Sequence, residues 1–358
     1  MNVLHFLATG GTGGIESLIR EYADKSMHNN YYVIFWGSGA NSEIMKSKGH
    51  NVIDIGCSKK EVWKTYKKLV QLVKECEINA IVTHHAAPAM WFYMTILKRK
   101  FPNLSTYIYA HGALRDMLRV EKKQWVLCKA VLDFAYKECN AVIAISESVK
   151  NSFLEFGFKL DKIKVIYNGV DCSKFTPNIA DKNEVIHFIY VGRLIKQKGV
   201  DRLLKAVSLI NTNRAFACDI IGDGVEKKNL EALTYELNIT DKVKFHGVRN
   251  DIPQLLPNEN VFVHPAVWEE GFGIALVEGM AAGLVTVAFK KGAIPEIIDT
   301  GINGFIVEEE SSEALAKCLE KIIDNYDTDE IRKLREAAVI KAKKFDMSIF
   351  VKALDEAI

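Results

Sequence analysis

Two doubly wound parallel α/β domains in one chain are what this sequence predicts. Short β-branched runs alternate with longer amphipathic stretches almost from end to end, the pattern of strands buried on both faces and covered by helices. The alternation breaks once, near the middle, and then restarts. A length of 358 residues fits that division, being too long for one ordinary core and enough for two.

In the first half the strand-like runs are Val3–Leu7, Tyr32–Phe35, Val52–Ile55, Ala80–Val82, Thr106–Tyr109, Ala141–Ile145 and Lys164–Ile166. Amphipathic stretches lie between them at Glu16–Met27, Glu61–Glu75 and Glu121–Tyr136; in the last, Trp125, Cys128, Leu132 and Ala135 recur on one helical face. Asn168–Glu184 is polar, contains Pro177 and lacks periodicity, so it reads as a linker. Beyond it come strand His187–Val191, helix Val200–Ile210, strand Cys218–Ile221, helix Glu226–Leu237 and strand Val243–Phe245. Strand Val261–Val263, helix Ile274–Ala282, strand Val285–Ala288 and helices from Ser312 onward complete the series. Such sheets bind ligands at the carboxyl ends of their strands, and two successive domains are expected to leave a cleft.

Composition removes several classes. Hydrophobic residues make up 49% and charged residues 26%, with 7 Pro and 23 Gly, which excludes disordered and collagen-like chains. A net charge of +2 argues against a dedicated nucleic-acid binder. Residues 1–170 carry 23 Lys+Arg against 15 Asp+Glu (+8), and the rest 24 against 30 (−6), so the first half suits an anionic partner such as a membrane surface. The seven cysteines, Cys57, Cys76, Cys128, Cys139, Cys172, Cys218 and Cys318, form no C-x-x-C pair and read as reduced, mostly buried thiols. The start MNVLHFLATGG runs straight into a strand without a signal-like leader. Gly271–Phe289, the longest apolar stretch, is broken by Glu278 and by glycines, so no spanning helix is expected and a cytoplasmic protein is.

Three motifs carry chemistry. Gly10-Gly11-Thr12-Gly13-Gly14-Ile15-Glu16 follows the first strand and opens a helix, where glycines let backbone N–H groups approach an anion. It has neither the dinucleotide G-x-G-x-x-G spacing nor the G-K-[ST] of a Walker loop. Val191-Gly192-Arg193 through Gly199 places Arg193 and Lys198 in a strand-end loop, able to converge on a diphosphate. Glu269-Glu270-Gly271-Phe272-Gly273-Ile274 precedes a largely apolar helix that contains Glu278. Glu270 stands at the strand-to-helix mouth, backbone N–H groups from Phe272 to Ala275 make an anion site, and Glu278 needs a polar partner such as ribose hydroxyls.

Taken together, Gly13-Gly14-x-Glu16, Tyr167-Asn168-Gly169-Val170-Asp171, Val191-Gly192-Arg193-x5-Gly199 and Glu270-Gly271-Phe272-Gly273-x4-Glu278 resemble the retaining glycosyltransferases of family 4, over a span from Gly10 to about Val307. The resemblance implies the GT-B fold: an acceptor-binding domain over 1–170, a linker over 171–184 and a donor-binding domain over 185–345, with a closing helix 346–358 packed back on the first domain. It implies that Arg193 and Lys198 hold the donor diphosphate and Glu278 the ribose. Glu270 positions the sugar hydroxyls with the amides of Gly271, Phe272, Gly273 and Ile274, while Gly13 and Gly14 approach the phosphate. Backbone groups near His246-Gly247-Val248-Arg249 read the base. His111, after the strand Thr106–Tyr109, matches the family's histidine near the reacting sugar, and His85 in Thr83-His84-His85 is placed on the acceptor side. Ser146-Glu147 reads as a helix cap. Gly283-Leu284-Val285 and the basic loop Lys290–Glu296 depart from the family pattern and leave the sugar open.

The expected chemistry is metal-independent transfer with retention from a nucleotide sugar, UDP-linked first and GDP-mannose next, to a glycan or polyprenyl-linked saccharide. Charge on the departing nucleoside diphosphate is met by Arg193, Lys198 and a helix N-terminus. The Asp-x-Asp at Asp327-Thr328-Asp329 sits in a late loop and is expected to face solvent. Lys59, Lys60, Lys64, Lys67 and Lys68, with Trp63 and Leu69 among them, and Lys98-Arg99-Lys100-Phe101 are expected to make a peripheral contact with an anionic membrane. The acceptor class points to capsule, exopolysaccharide or lipopolysaccharide synthesis. A transferase acting on a small soluble acceptor, and an epimerase or non-catalytic nucleotide-sugar binder of the same fold, are the alternatives.

Overall fold

The computed structural model describes residues 1–56, 60–84, 87–117, 122–179 and 184–358, with side chains 116, 117 and 122–124 left aside. Cys57, Lys59, His85 and Glu121 lie outside the described residues. The chain divides into two compact units: Met1–Gly169 with Met347–Ile358, and Val170–Asp346.

The first unit carries seven strands: β1 (Asn2–Leu7), β2 (Asn29–Ile34), β3 (Asn51–Asp54), β4 (Ala80–Thr83), β5 (Ser105–Ala110), β6 (Ala141–Ala144) and β7 (Ile163–Val165). They form one sheet in the order β3-β2-β1-β4-β5-β6-β7, every pair parallel. The chain builds outward from β1 to β3 and then returns to place β4 on the other side of β1. That reversal is where a doubly wound sheet opens for ligands. β4 and β6 are buried at every position, in keeping with sequences that are apolar apart from Thr83.

Several elements differ from the expectation. The first helix spans Gly14–Ala23 rather than reaching Met27. Lys25 and Ser26 N–H both turn back onto Tyr22 O, and Ser26 Oγ and Met27 N–H donate to Asp355, which draws the chain off the helix axis. Helix Pro88–Lys100 was hidden because six of its thirteen residues are buried, blurring the period, although Pro88 in its first turn is a start signal. Helix Ala40–Ser47 is too short to show a period. Ser146 caps helix Glu147–Ser152 by accepting from Val149 N–H.

Four residues of the basic clusters, Lys64, Lys68, Lys98 and Arg99, have local partners. Leu69 is buried in the core, so it cannot join Trp63, which is 73% exposed, on a docking face. Lys64 pairs with Glu61, and Lys68 Nζ donates to Ile55 O. Lys98 Nζ caps the carbonyls of Pro102 and Leu104 at the helix C-terminus, while Arg99 pairs with Glu138 and lies 4.4 Å over the Phe134 ring. Among the described residues no helix is long and apolar enough to cross a membrane.

The closing helix Met347–Ala357 belongs to the first unit. Its Asp355 is buried and accepts from Tyr22 Oη at 2.6 Å, Ser26 Oγ at 2.8 Å and Met27 N–H at 2.8 Å. Tyr107 Oη donates to the carbonyl of Ile358, and Gly169 lies so close to Met347 and Phe350 that a Cβ there would approach them within 2.8–3.1 Å.

The second unit repeats the plan with β8 (Val185–Val191), β9 (Ala215–Ile221), β10 (Val243–Gly247), β11 (Val261–His264), β12 (Val285–Phe289) and β13 (Phe305–Val307), in the order β10-β9-β8-β11-β12-β13 and again all parallel. β13 has only three residues after a turn-rich stretch, which concealed it. Helices Val200–Leu209 and Ser312–Asn325 pack on one face of this sheet over Phe188, Tyr190, Val261 and Val285. The described part of the linker is fastened to this unit. Val170 N–H donates to Phe345 O, and the buried Arg335 donates to the carbonyls of Asn178, Ile179 and Gly283.

Candidate functional site

The switch in strand order sets β8 beside β11, with Val261 opposite Phe188 and Phe262 opposite Ile189. The loops leaving the carboxyl ends of these two strands therefore emerge side by side. One brings Arg193 and Lys198, the other Glu270. Gly199 makes their meeting possible. It adopts a left-handed φ of 64°, and a Cβ there would lie 2.0 Å from Pro265 O. The turn Lys196–Lys198 thus presses against the start of the β11 loop, where Val267 N–H donates to Gln197 O at 3.1 Å.

Lys198 Nζ reaches Glu270 Oε2 at 2.6 Å, and His264 Nε2, on the last residue of β11, donates to the same oxygen at 3.1 Å. Burial alone would raise the Glu270 carboxyl. The hydrogen bond and charge of His264 and the charge of Lys198 override it and hold Glu270 well below the usual carboxylate range. The Glu270 backbone is braced as well: Ala293 N–H donates to Glu270 O at 2.8 Å, and Gly292 N–H to the Glu269 carboxylate at 2.8 Å. The loop that departs from the family pattern therefore clamps Glu270. Its lysines are matched by acids, Lys290 with Glu308 and Lys291 with Glu310.

Downstream, helix Ile274–Ala281 starts from Gly273 at φ 98°. Leu276 and Val277 N–H donate to Gly273 O, so the amides of Ile274 and Ala275 stand at the open, positive end of the ladder. Gly271 is half-buried there. The Phe272 ring is buried and packs edge-on to Phe345 at 5.3 Å, which leaves the backbone as the part of this residue that can face a ligand. Glu278 is half-buried in the same helix. Arg193 is exposed, and its carbonyl accepts from the buried Tyr190 hydroxyl at 2.9 Å. Arg249 lies exposed after β10 with its guanidinium forked onto Asp251.

A second polar group lies on the same sheet. Asp219 on β9 sits between His187, whose Nδ1 is 3.5 Å away, and His246 Nε2. Glu259 stands nearby, its Oε2 buried without a hydrogen-bond partner, and burial followed by the charge of Asp219 pushes its carboxyl up to about 7. Ligand atoms of His187, Asp219 and Glu259 lie within 4.8 Å of one another, the one group of this kind among the described residues that could hold a metal ion. Asp327 and Asp329 are exposed, Thr328 between them caps helix Asp329–Ala342, and Asp327 pairs with Arg214.

In the first unit, Gly13 caps helix Gly14–Ala23, and a Cβ on it would collide with the Glu16 carboxylate. Glu16 is buried and accepts from Thr9 Oγ1 at 2.7 Å, whereas Gly14 is exposed with open space around it. His111 follows β5 directly. Its Nε2 is 3.3 Å from His84 Nδ1, and its ring centroid is 4.2 Å from that of Tyr109. The contacts of His264 with Glu270 and of His84 with His111 escaped the sequence reading, since single histidines at strand ends are common as ordinary hydrogen-bonded residues.

Residues 12–174 match the family profile "Glycosyltransferase Family 4", and residues 173–345 match "Glycosyl transferases group 1". An uncharacterized glycosyltransferase of Methanocaldococcus jannaschii is 32% identical over 225 residues, which cover 58% of this chain and 55% of that protein. The chain thus spans about half the length of that relative. A 41.2 kDa protein in the cps region of Klebsiella pneumoniae is 23% identical over 97% of both chains. Among solved structures, Anabaena HepE in complex with UDP superimposes with a TM-score of 0.85 at 22% identity, covering 100% of this chain and 99% of that one.

Proposed function

We propose that this chain, which belongs to the glycosyltransferases and has their GT-B fold, transfers a hexose or N-acetylhexosamine from a UDP-sugar to a glycan or lipid-linked saccharide, with retention and without a metal. The observation that carries the reading is the Lys198–Glu270–His264 cluster at the paired carboxyl ends of β8 and β11. An ionised, half-buried carboxylate beside the start of an α-helix is a poor general acid and a good acceptor for sugar hydroxyls. Its cationic neighbour and the helix amides face the opposite charge, that of a diphosphate.

The reaction needs stabilisation of charge on the leaving nucleoside diphosphate. Lys198, Arg193 and the amides of Ile274 and Ala275 provide it through fixed donors, which is the role a metal ion plays in other transferases. The acceptor hydroxyl attacks on the face the diphosphate leaves, and the donor's phosphate oxygen takes its proton. Glu270 orients the sugar and Glu278 the ribose. UDP is favoured as the donor nucleotide by its presence in Anabaena HepE. A cell-surface polysaccharide product is favoured by the cps-region relative and by the family resemblance.

The test is a transfer assay with UDP-glucose, UDP-galactose and their N-acetylhexosamine counterparts against saccharide acceptors, following the anomeric proton of the product by NMR. An α-linked product from an α-linked donor, formed equally in EDTA and lost in Glu270→Gln, is the expected result. Loss of turnover in EDTA, or a β-linked product, would overturn it.

A further inference from the structure

Lys198 and Glu270 leave the carboxyl ends of β8 and β11; the polar group of His187, Asp219, His246 and Glu259 lies elsewhere on the same sheet. His187 is the third residue of β8, and Glu259 stands two residues before β11 starts at Val261. In the parallel register His187 faces Ala217, so Asp219, two residues further along β9, projects from the same side of the sheet. Glu259 is fixed through its neighbour. The buried Asn260 accepts from His187 N–H through Oδ1 at 2.8 Å and donates its own N–H to His187 O at 3.0 Å.

The spacing and the chemistry of these groups suit one cation. Ligand atoms of His187, Asp219 and Glu259 all lie within 4.8 Å of one another. His187 Nδ1 and Asp219 Oδ2 are 3.5 Å apart. Two ligands on one zinc ion, with bonds of about 2.1 Å at the tetrahedral angle, stand about 3.4 Å apart. The other Asp219 oxygen, Oδ1, is held by His246 Nε2, which fixes the carboxylate and leaves Oδ2 toward His187. A second observation is independent of these distances. Glu259 Oε2 is buried with no hydrogen-bond partner, close to another carboxylate. Such an arrangement is costly twice over, through desolvation and through repulsion, and a divalent cation relieves both. One imidazole and two carboxylates match the double charge of such an ion. The nitrogen favours zinc over magnesium or calcium, which prefer oxygen alone, and the set leaves a fourth position for water.

We propose that His187, Asp219 and Glu259 bind one zinc ion, with His246 holding the Asp219 carboxylate in place. The ion ties β8, β9 and the segment entering β11 together and so braces the second unit; it takes no part in sugar transfer. Without the ion the two carboxylates repel each other, and that metal-free state is the one in which replacing Glu259 by Gln brings relief. Asp219→Asn and Glu259→Gln keep the size of each side chain and remove its ligating charge.

The test uses the full chain, stripped with EDTA and returned to metal-free buffer above neutral pH. Zinc chloride is titrated in by calorimetry, and melting is followed with and without the metal. The expected result is one zinc per chain, a rise in Tm of about 5–10 °C at saturating zinc, and at least tenfold weaker binding in each variant. In EDTA, Glu259→Gln should melt no lower than the wild type, which separates a lost ligand from a lost fold. Cobalt(II) in place of zinc should give a visible spectrum of nitrogen and oxygen ligation without a thiolate charge-transfer band, setting this site apart from the cysteines. No zinc bound, an affinity unchanged in both variants, or a thiolate band would overturn the proposal.

Discussion

Replacing Glu259 with Gln stabilises the second unit, and does so only above mildly acidic pH. The carboxyl has one oxygen buried without a partner, and desolvation, then the negative charge of Asp219, push it up to about 7, against the opposing pull of His187. Its ordinary value in the unfolded chain is 4.5. The native state therefore favours the protonated form. Below pH 4.5 both states hold the proton and there is no cost. As pH rises from 4.5 to about 7 the unfolded chain ionises while the native one resists, so stability falls, and the loss is complete above 7. At about 1.4 kcal/mol per pKa unit the full interval is worth about 3.4 kcal/mol as an upper limit, and partial solvent access reduces the expectation to about 2 kcal/mol. Gln keeps the size, never ionises and can donate to Asp219. Glu259→Gln should then match the wild type at pH 4 and exceed it by roughly 4–8 °C in Tm at pH 8. His187, held above its ordinary value by its hydrogen bond to Asp219, loses its charge and its share of stability as pH rises. That decline is smaller in the variant, because the Glu259 charge helps to hold His187 up, but the hydrogen bond to Asp219 keeps it in both proteins while the Glu259 part flattens. Tm against pH by scanning calorimetry is the assay, and parallel profiles for the two proteins would refute the reasoning.

Three other perturbations test separate parts of the account. Gly199→Ala forces a Cβ to 2.0 Å from Pro265 O at a left-handed φ, so it should destabilise by about 2 kcal/mol or more and loosen the Lys198 turn; urea unfolding and donor KM read the two effects. Asp355→Ala strands the buried Tyr22 hydroxyl and Met27 N–H, and equilibrium unfolding should show a loss of about 2–4 kcal/mol with the first unit melting earlier. Arg335→Met leaves three carbonyls at the linker and Gly283 without their shared donor, so limited proteolysis should cut near 178–184 faster than in the wild type.

Strands were legible wherever both faces are covered, because burial on both sides demands largely apolar, β-branched runs such as those of β4, β6 and β12. The helix Pro88–Lys100 was not legible for the same reason, its burial erasing the period that marks an amphipathic helix. At the site, Lys198 and Glu270 stood out as charged residues at strand ends. Their pairing at 2.6 Å depends on the strand order that sets β8 against β11, which periodicity does not encode. His5, His84 and His111 are 79 and 27 residues apart in sequence, and only the sheet brings them into line. Residues 59–68 and 98–100 were legible as two basic clusters, while the inward turn of Leu69 and the local partners of Lys98 and Arg99 depend on packing that a count of charges does not encode.

The central claim is that Lys198, Glu270 and the start of helix Ile274–Ala281 form the diphosphate and sugar site of a nucleotide-sugar transferase. Isothermal titration of the full chain with UDP, GDP and ADP, with and without EDTA, tests it most directly. UDP should bind one-to-one, equally in EDTA, and weaken at least tenfold in both Lys198→Ala and Glu278→Ala. Binding of no nucleoside diphosphate, or UDP affinity unchanged in both variants, would contradict it.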